Sequence, residues 1–257
     1  MRQFERLHRI LLCFVVVLAT ITCIPMFAWG DDLGFWTVLA PMPTARQGLA
    51  IAAVNDKIYA IGGLDSSDGS FLSTVEEYNP ATNAWRTVAP MPTGRYSLAA
   101  AVVNDRIYAI GGYGVGFQLT TVEEYNPFTD TWRSVAPMPT ARNYLAAVVV
   151  NDRIYAIGGA DAGVSGLTSI EEYNPATDTW RVLTPMPTAR YALAAAVVND
   201  RIYVIGGWAG CCPLSTVEEY NPIRPQIRKR CVSTPVAMSV SGRRVLTGSY
   251  MLRGRTP

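Results

Sequence analysis

Side chains capable of metal or covalent chemistry are scarce in this chain, and their positions exclude most of it. The sole histidine is His8. An imidazole-based copper or zinc centre, or a Ser-His-Asp or Cys-His relay, has no other histidine to draw on. Of the five cysteines, Cys13 and Cys23 lie in an apolar N-terminal stretch, leaving Cys211, Cys212 and Cys231. Three thiols with two adjacent do not make a disulfide framework. The Cys211-Cys212 pair reads as a vicinal disulfide, a reactive pair or two ordinary thiols. No glycine-rich loop leads from a strand into a helix to hold a phosphate. Acid-base chemistry by carboxylates remains open, with Asp65, Asp68 and Asp161 as the acids of the variable connections that stand outside repeated positions. Their spacing gives no sign that any two converge. The expectation is no catalytic residue, no metal and no cofactor.

The elements that would position such residues repeat. Four times the chain runs through Pro-Met-Pro-Thr-(Ala/Gly)-Arg, an Asn-Asp turn, Ile-Tyr-(Ala/Val)-Ile-Gly-Gly and Glu-Glu-Tyr-Asn-Pro. The arginines closing the first landmark are Arg46, Arg95, Arg142 and Arg190, at steps of 49, 47 and 48 residues. A period near fifty signals a propeller or solenoid. Within one copy, Leu98 to Val103 is a short apolar run, Asn104-Asp105 fits a two-residue hairpin, and Arg106 to Ile110 alternates before a glycine doublet. Thr121 to Tyr125, the Asn126-Pro127 turn, and Thr131 to Val135 complete four strands. Nothing in the repeat has helical periodicity. The fold class is therefore all-β: antiparallel four-stranded blades of a β-propeller.

These landmarks resemble the kelch repeat. The doublets are Gly62 and Gly63, Gly111 and Gly112, Gly158 and Gly159, and Gly206 and Gly207. A tyrosine followed seven residues later by tryptophan occurs as Tyr78 with Trp85, Tyr125 with Trp132, and Tyr173 with Trp180, whereas Tyr220 has no such tryptophan. The resemblance covers residues 36–222. Doublets permit backbone conformations barred to other residues, and the aromatic pairs offer faces for one blade to bury against the next. All these residues are read as structural, as are the four arginines and the Glu-Glu pairs, whose charges are expected to pair within or between blades.

About four blades are present. Phe35 to Leu39, with Trp36, resembles a fourth strand, and closing the last blade with it would give a four-bladed ring. Kelch propellers usually have more blades, so an open arc is the preferred expectation. The repeat breaks abruptly after Pro222, which reads as truncation or a shifted reading frame. Three segments follow: 1–30, a secretory signal; 31–222, the repeats; and 223–257, a basic tail with a possible hairpin between Val236 and Ser249. Arg2, Arg6 and Arg9 before an apolar run, and Ala28-Trp29-Gly30, carry the signal reading. An uncleaved membrane anchor over residues 10–29 is the alternative. A secreted or periplasmic location follows from the first reading.

Charge is uneven: residues 31–222 hold 11 basic and 19 acidic residues, and 223–257 hold 8 basic and none acidic. Arg228-Lys229-Arg230 is the only argument for a nucleic acid, and an acidic body opposes it, so no such partner is expected. Edge-to-edge self-association is expected of an arc that leaves a blade uncovered.

Alternation of strand direction sends the Asn-Asp and Asn-Pro turns to one face and the variable connections to the other. Loops on a rigid scaffold concentrate binding residues. The candidates on the variable face are Gln47, Tyr96, Tyr113, Asn143, Tyr144, Tyr191 and Trp208. The competing reading is that these tyrosines fill the central channel and that the loops have drifted. The resemblance extends to copper-radical oxidases, excluded by the histidine count, and to sialic-acid mutarotating proteins. The function expected is an extracytoplasmic binding module for a protein segment or glycan. A metal-independent carbohydrate-active enzyme is the alternative.

Overall fold

The computed structural model describes residues 34–163 and 166–222, and the expected signal segment, tail hairpin and Cys231 lie outside them. Among the described residues there is no helix. The first blade is β1 (Ala50–Val54), β2 (Lys57–Ile61), β3 (Val75–Asn79) and β4 (Ala84–Val88), hydrogen-bonded in that order and antiparallel throughout. The second has β5 (Ala99–Val103), β6 (Arg106–Ile110), β9 (Val122–Asn126) and β10 (Thr131–Val135), with the small hairpin β7 (Tyr113–Gly114) and β8 (Phe117–Gln118) between its middle strands. The third repeats the plan as β11 (Ala146–Val150), β12 (Arg153–Ile157), β13 (Ile170–Asn174) and β14 (Thr179–Val182). The fourth holds β15 (Ala194–Val198), β16 (Arg201–Ile205) and β19 (Val217–Tyr220), with β17 (Trp208–Ala209) and β18 (Cys212–Pro213) as its small hairpin.

The Asn-Asp pairs make the hairpins expected of them. Both residues have positive φ, as in Asn104 at 49° and Asp105 at 58°, which matches the right-handed twist of the flanking strands. Strand bounds differ little from the sequence expectation: β9 begins at Val122 rather than Thr121 and runs on through Asn126. The third-to-fourth turn is longer than Asn-Pro alone. It ends on a left-handed Asn83, Asp130 or Asp178, each with φ near 50°.

Blades bury their faces pairwise. Ala50, Ala52, Val54, Tyr59, Ile61, Val75 and Val88 of the first blade pack on Leu98, Ile107, Ala109 and Tyr125 of the second, with Trp132 alongside. The second and third blades repeat this with Ala99, Ala101, Val103, Tyr108, Ile110 and Val122 against Leu145, Ile154, Ala156 and Tyr173. A third cluster joins the third and fourth blades. The row is open among the described residues: Ile51 on one outer face is 56% exposed, and Val217 on the other is 59%. Residues 35–39 pair with no strand and are largely exposed, so they do not close the fourth blade. The physical reason is position. Ala40 is tied to the first blade, its amide donating to Asn83 Oδ1 at 2.7 Å and its carbonyl accepting from Trp85 Nε1 at 2.9 Å, at the opposite end of the row from β19.

The repeated polar residues are structural. Each landmark arginine is buried against the first glutamate of its blade: Arg46–Glu76 at 2.7 Å, and Arg95–Glu123, Arg142–Glu171 and Arg190–Glu218 at 2.8 Å. The same guanidinium groups also donate to backbone carbonyls, as Arg142 Nη1 does to Gly158 O at 2.9 Å. Burial pulls Arg95 and Arg142 below arginine's usual pKa, and the facing glutamates oppose that shift. The second glutamate of each pair meets an arginine and an inner-strand tyrosine, as Glu77 does with Arg86 at 2.5 Å and Tyr59 at 2.8 Å. In the glycine doublets the tight fit is literal: a Cβ at Gly111, φ 60°, would stand 2.6 Å from Arg142 O of the next blade.

Candidate functional site

Each blade turns its variable residues onto one face through the same local device. The residue after the landmark arginine bridges the residue after the glycine doublet: Gln47 to Leu64, Tyr96 to Tyr113, Asn143 to Ala160, and Tyr191 to Trp208. Each bridge is a reciprocal backbone pair, such as Tyr96 N to Tyr113 O at 3.1 Å and Tyr113 N to Tyr96 O at 2.8 Å. The next residue links one blade to the next, with Ser97 N donating to Gly48 O at 2.7 Å, Tyr144 N to Ser97 O at 2.9 Å and Ala192 N to Tyr144 O at 2.9 Å. A belt of main-chain hydrogen bonds therefore crosses all four blades beneath the variable loops. It holds the side chains on a rigid floor, as a binding surface requires.

On that floor the aromatic candidates converge. Tyr96 meets Tyr113 at 5.7 Å and Tyr144 at 6.5 Å, both edge-on, and Tyr144 meets Tyr191 at 6.3 Å. Phe71 stacks on Tyr96 at 5.6 Å with the rings 2° from parallel, and meets Tyr113 at 5.9 Å. Burial and the neighbouring Tyr144 raise the pKa of the Tyr96 phenol. The rings thus form a continuous band from the first blade's loop to the fourth blade. Trp208 flanks it beside Tyr191 through the backbone bridge and is 43% exposed. Gln47 lies at the other margin and is exposed, outside the ring contacts.

Two details mark the band as more than filler. Tyr144 has φ 50°, the left-handed conformation that every blade requires at this place and that Gly48, Ser97 and Ala192 meet with smaller side chains at 61°, 52° and 51°. Such a φ costs an L-residue roughly 1–2 kcal/mol, yet this one carries an aromatic ring that is 42% exposed. Beside it, Asn143 is buried and its Oδ1 has no hydrogen-bond donor. An unmet buried acceptor is unfavourable until something donates to it.

The acids of the same loops are engaged locally. Asp65 Oδ1 accepts from the Ser67 amide at 2.8 Å and its hydroxyl at 2.6 Å, Asp68 Oδ1 from the Ser70 amide at 2.8 Å, and Asp161 Oδ1 from the Gly163 amide at 3.0 Å. These are side-chain-to-backbone turns. The Ser67 hydrogen bonds hold the Asp65 carboxyl below its usual pKa. Cys211 and Cys212 are exposed thiols with their Sγ atoms 2.9 Å apart, and the hydrogen bond between them raises the pKa of the Cys212 thiol. Among the described residues no group of three or more His, Cys, Asp or Glu side chains is placed to hold a metal ion.

Sequence reading missed Phe71, although an aromatic residue within a variable loop was the available signal. It also missed the residue before each fourth strand. Asp130 Oδ1 accepts from Tyr125 OH at 2.7 Å and the Ala89 amide at 2.8 Å, and Asp178 does the same for Tyr173 and Ala136. Its recurrence as Asn83, Asp130 and Asp178 was legible in the repeat.

Comparison with known proteins agrees with this architecture. The family model of the KLHDC2/KLHL20/DRC7 Kelch-repeats domain matches residues 35–213. The Kelch-like protein terF of Aspergillus terreus is 40% identical over 53 residues, which is 20% of this chain and 12% of terF. The solved structure of YjhT superposes with a TM-score of 0.63 at 19% identity, covering 72% of this chain and 65% of YjhT. This chain thus spans only part of either relative, and the likeness to YjhT is one of fold.

Proposed function

The chain belongs to the kelch-repeat family, and we propose that it works as an interaction module whose variable rim binds an extended protein segment. The observation that carries this reading is the aromatic band, in which Tyr144 is kept exposed at a backbone position better suited to glycine. Aromatic residues on a rigid floor give contact area at low entropic cost. Protein interaction is also the general role of kelch-repeat domains. No cofactor enters the mechanism. The module meets its ligand outside the cytoplasm, a placement supported by the basic and then apolar first thirty residues.

A glycan is the second reading, favoured by the exposed rings of Tyr144 and Trp208, which suit the apolar faces of sugar rings. Selection from a displayed random-peptide library, run beside a glycan array, separates the two. The protein-segment reading expects peptides that bind the parent chain and lose at least tenfold in affinity on Tyr144→Ala with Tyr191→Ala. Array binding without peptide enrichment would replace it by the glycan reading, and binding unaffected by both substitutions would refute the rim.

A further inference from the structure

We propose that two copies of this chain join head to tail, the fourth blade of one packing on the first blade of the other and receiving its residues 35–39 as a fourth strand. The argument begins with composition. End units of a stacked repeat normally turn a polar face outward to stay soluble. Here they do not. The outward face of the fourth blade is Ala194, Ala196, Val198, Tyr203, Ile205 and Val217, the same residue types in the same order as Ala99, Ala101, Val103, Tyr108, Ile110 and Val122. The second set is buried against the third blade. In the first, Val198 is 53% exposed, Ile205 45% and Val217 59%. At the other end, the first blade presents Leu49, Ile51, Ala53, Ile58 and Ala60 where the third blade presents Leu145, Ala147, Val149, Ile154 and Ala156 to its neighbour. Ile51 with Ala53 in place of Ala147 with Val149 redistributes volume and preserves the apolar face.

Main-chain hydrogen bonds supply the register. Every internal interface carries the same four. Between the second and third blades they are Gly112 N to Arg142 O at 2.9 Å, Met138 N to Thr120 O at 2.9 Å, Arg142 N to Leu119 O at 3.2 Å and Tyr144 N to Ser97 O at 2.9 Å. Gly63, Met91, Arg95 and Ser97 donate the equivalent set to the first interface, and Gly159, Met186, Arg190 and Ala192 do so for the third. Carried forward one repeat, the set becomes Gly207 N to Arg46 O, Met42 N to Ser215 O, Arg46 N to Leu214 O and Gly48 N to Ala192 O, each between two copies. The space beside Gly206 leaves room for that carbonyl. A Cβ there would find only Leu214 O at 3.4 Å, whereas at Gly62, Gly111 and Gly158 it would meet the next blade's arginine carbonyl within 2.7 Å.

The segment at residues 35–39 has the matching strand. Trp36, Leu39 and Ala40 stand in the order of Trp85, Val88 and Ala89. In that register Leu39 falls opposite Val217, as Val88 falls opposite Val75. Trp36 would enter a groove of about 230 Å³ lined by Thr184, Pro185, Met186 and Tyr220. The Trp180 indole occupies the corresponding place one blade earlier, donating to Ala136 O at 2.8 Å, so Trp36 would donate to Thr184 O. A chain's own segment leaves from the first blade and cannot reach its own β19 in the open row, which makes the second copy the fitting occupant. The contact is heterologous, using two different surfaces.

Sedimentation of the full chain across a micromolar concentration series tests this with two surface variants, Ile51→Asp on one face and Val217→Glu on the other. The parent chain is expected to associate, and each variant alone to fall at least tenfold in association. Mixing the two variants should restore a one-to-one complex, because each retains the face the other has lost. Trp36→Ala, at a fully exposed side chain, should weaken association while leaving the circular dichroism of the monomer unchanged. A parent chain that stays monomeric throughout the series overturns the proposal. Association that survives both substitutions, or that mixing fails to restore, overturns it equally.

Discussion

The two faces of the row obey different rules. On the turn face every blade uses the same Asn-Asp pair in the same left-handed conformation, because a two-residue hairpin between twisted strands admits little else. Across the rim, no two connections are alike, although all four sit on the same backbone bridges. Repetition therefore marks what stacking requires, and divergence marks where the molecule can discriminate. Residues common to all blades should govern stability, and residues peculiar to one blade should govern binding.

The harshest way to probe the repeated side is Arg95→Ala, which leaves Glu123 buried and unpaired and should cost about 3–5 kcal/mol in urea denaturation. Arg201→Ala at an exposed pair should cost under about 1 kcal/mol by the same assay. Equal losses would erase the distinction between buried landmark and surface charge. Gly111→Val ranks next, at roughly 3 kcal/mol from positive φ and the clash with Arg142 O, whereas Gly206→Val in the monomer should show the backbone part alone. Ile110→Ala at a fully buried site should cost about 2–5 kcal/mol, and Ile205→Ala in the monomer distinctly less, since the same residue there is 45% exposed.

Acid titration gives the smallest effect. The Tyr125 hydroxyl and the Ala89 amide hold Asp130 below its usual pKa, and the Ala136 amide and Tyr173 hydroxyl do so for Asp178. A carboxylate lowered in the folded state contributes stability above its unfolded value of about 3.9, and loses that contribution as pH falls through the lower folded value. Urea midpoints should be level near neutral pH and decline below pH ~4, less steeply in Asp130→Asn with Asp178→Asn. At the alkaline end the sign reverses for Tyr125, whose phenol is raised by burial and by Asp130. Its contribution is complete below pH ~10 and is lost above it.

Much of this organisation was legible in the sequence because it recurs. Four copies exposed the arginine-glutamate pairing, the hairpins, the doublets and the side of the sheet on which Tyr96, Tyr144 and Tyr191 emerge. What was illegible involves a single copy or a distance across blades. Phe71 reaches Tyr96 only because neighbouring blades bring two loops together, and no spacing within one repeat encodes that meeting. The fate of Phe35 to Leu39 was likewise open. Its strand-like residues were plain, but their distance from β19 depends on how far the row curves, which the repeat does not state. The unmet acceptor on Asn143 is invisible in a sequence, since asparagine in that position reads the same whether paired or orphaned.

The most direct test of the division between faces is paired measurement of melting temperature and affinity for a library-selected peptide in three proteins: the parent, Tyr144→Ala with Tyr191→Ala, and the turn variant Asn104→Ala. The rim variant should lose at least tenfold in affinity at an unchanged melting temperature, and the turn variant should melt earlier while binding normally. Affinity that follows the turn substitution and ignores the rim would contradict the account.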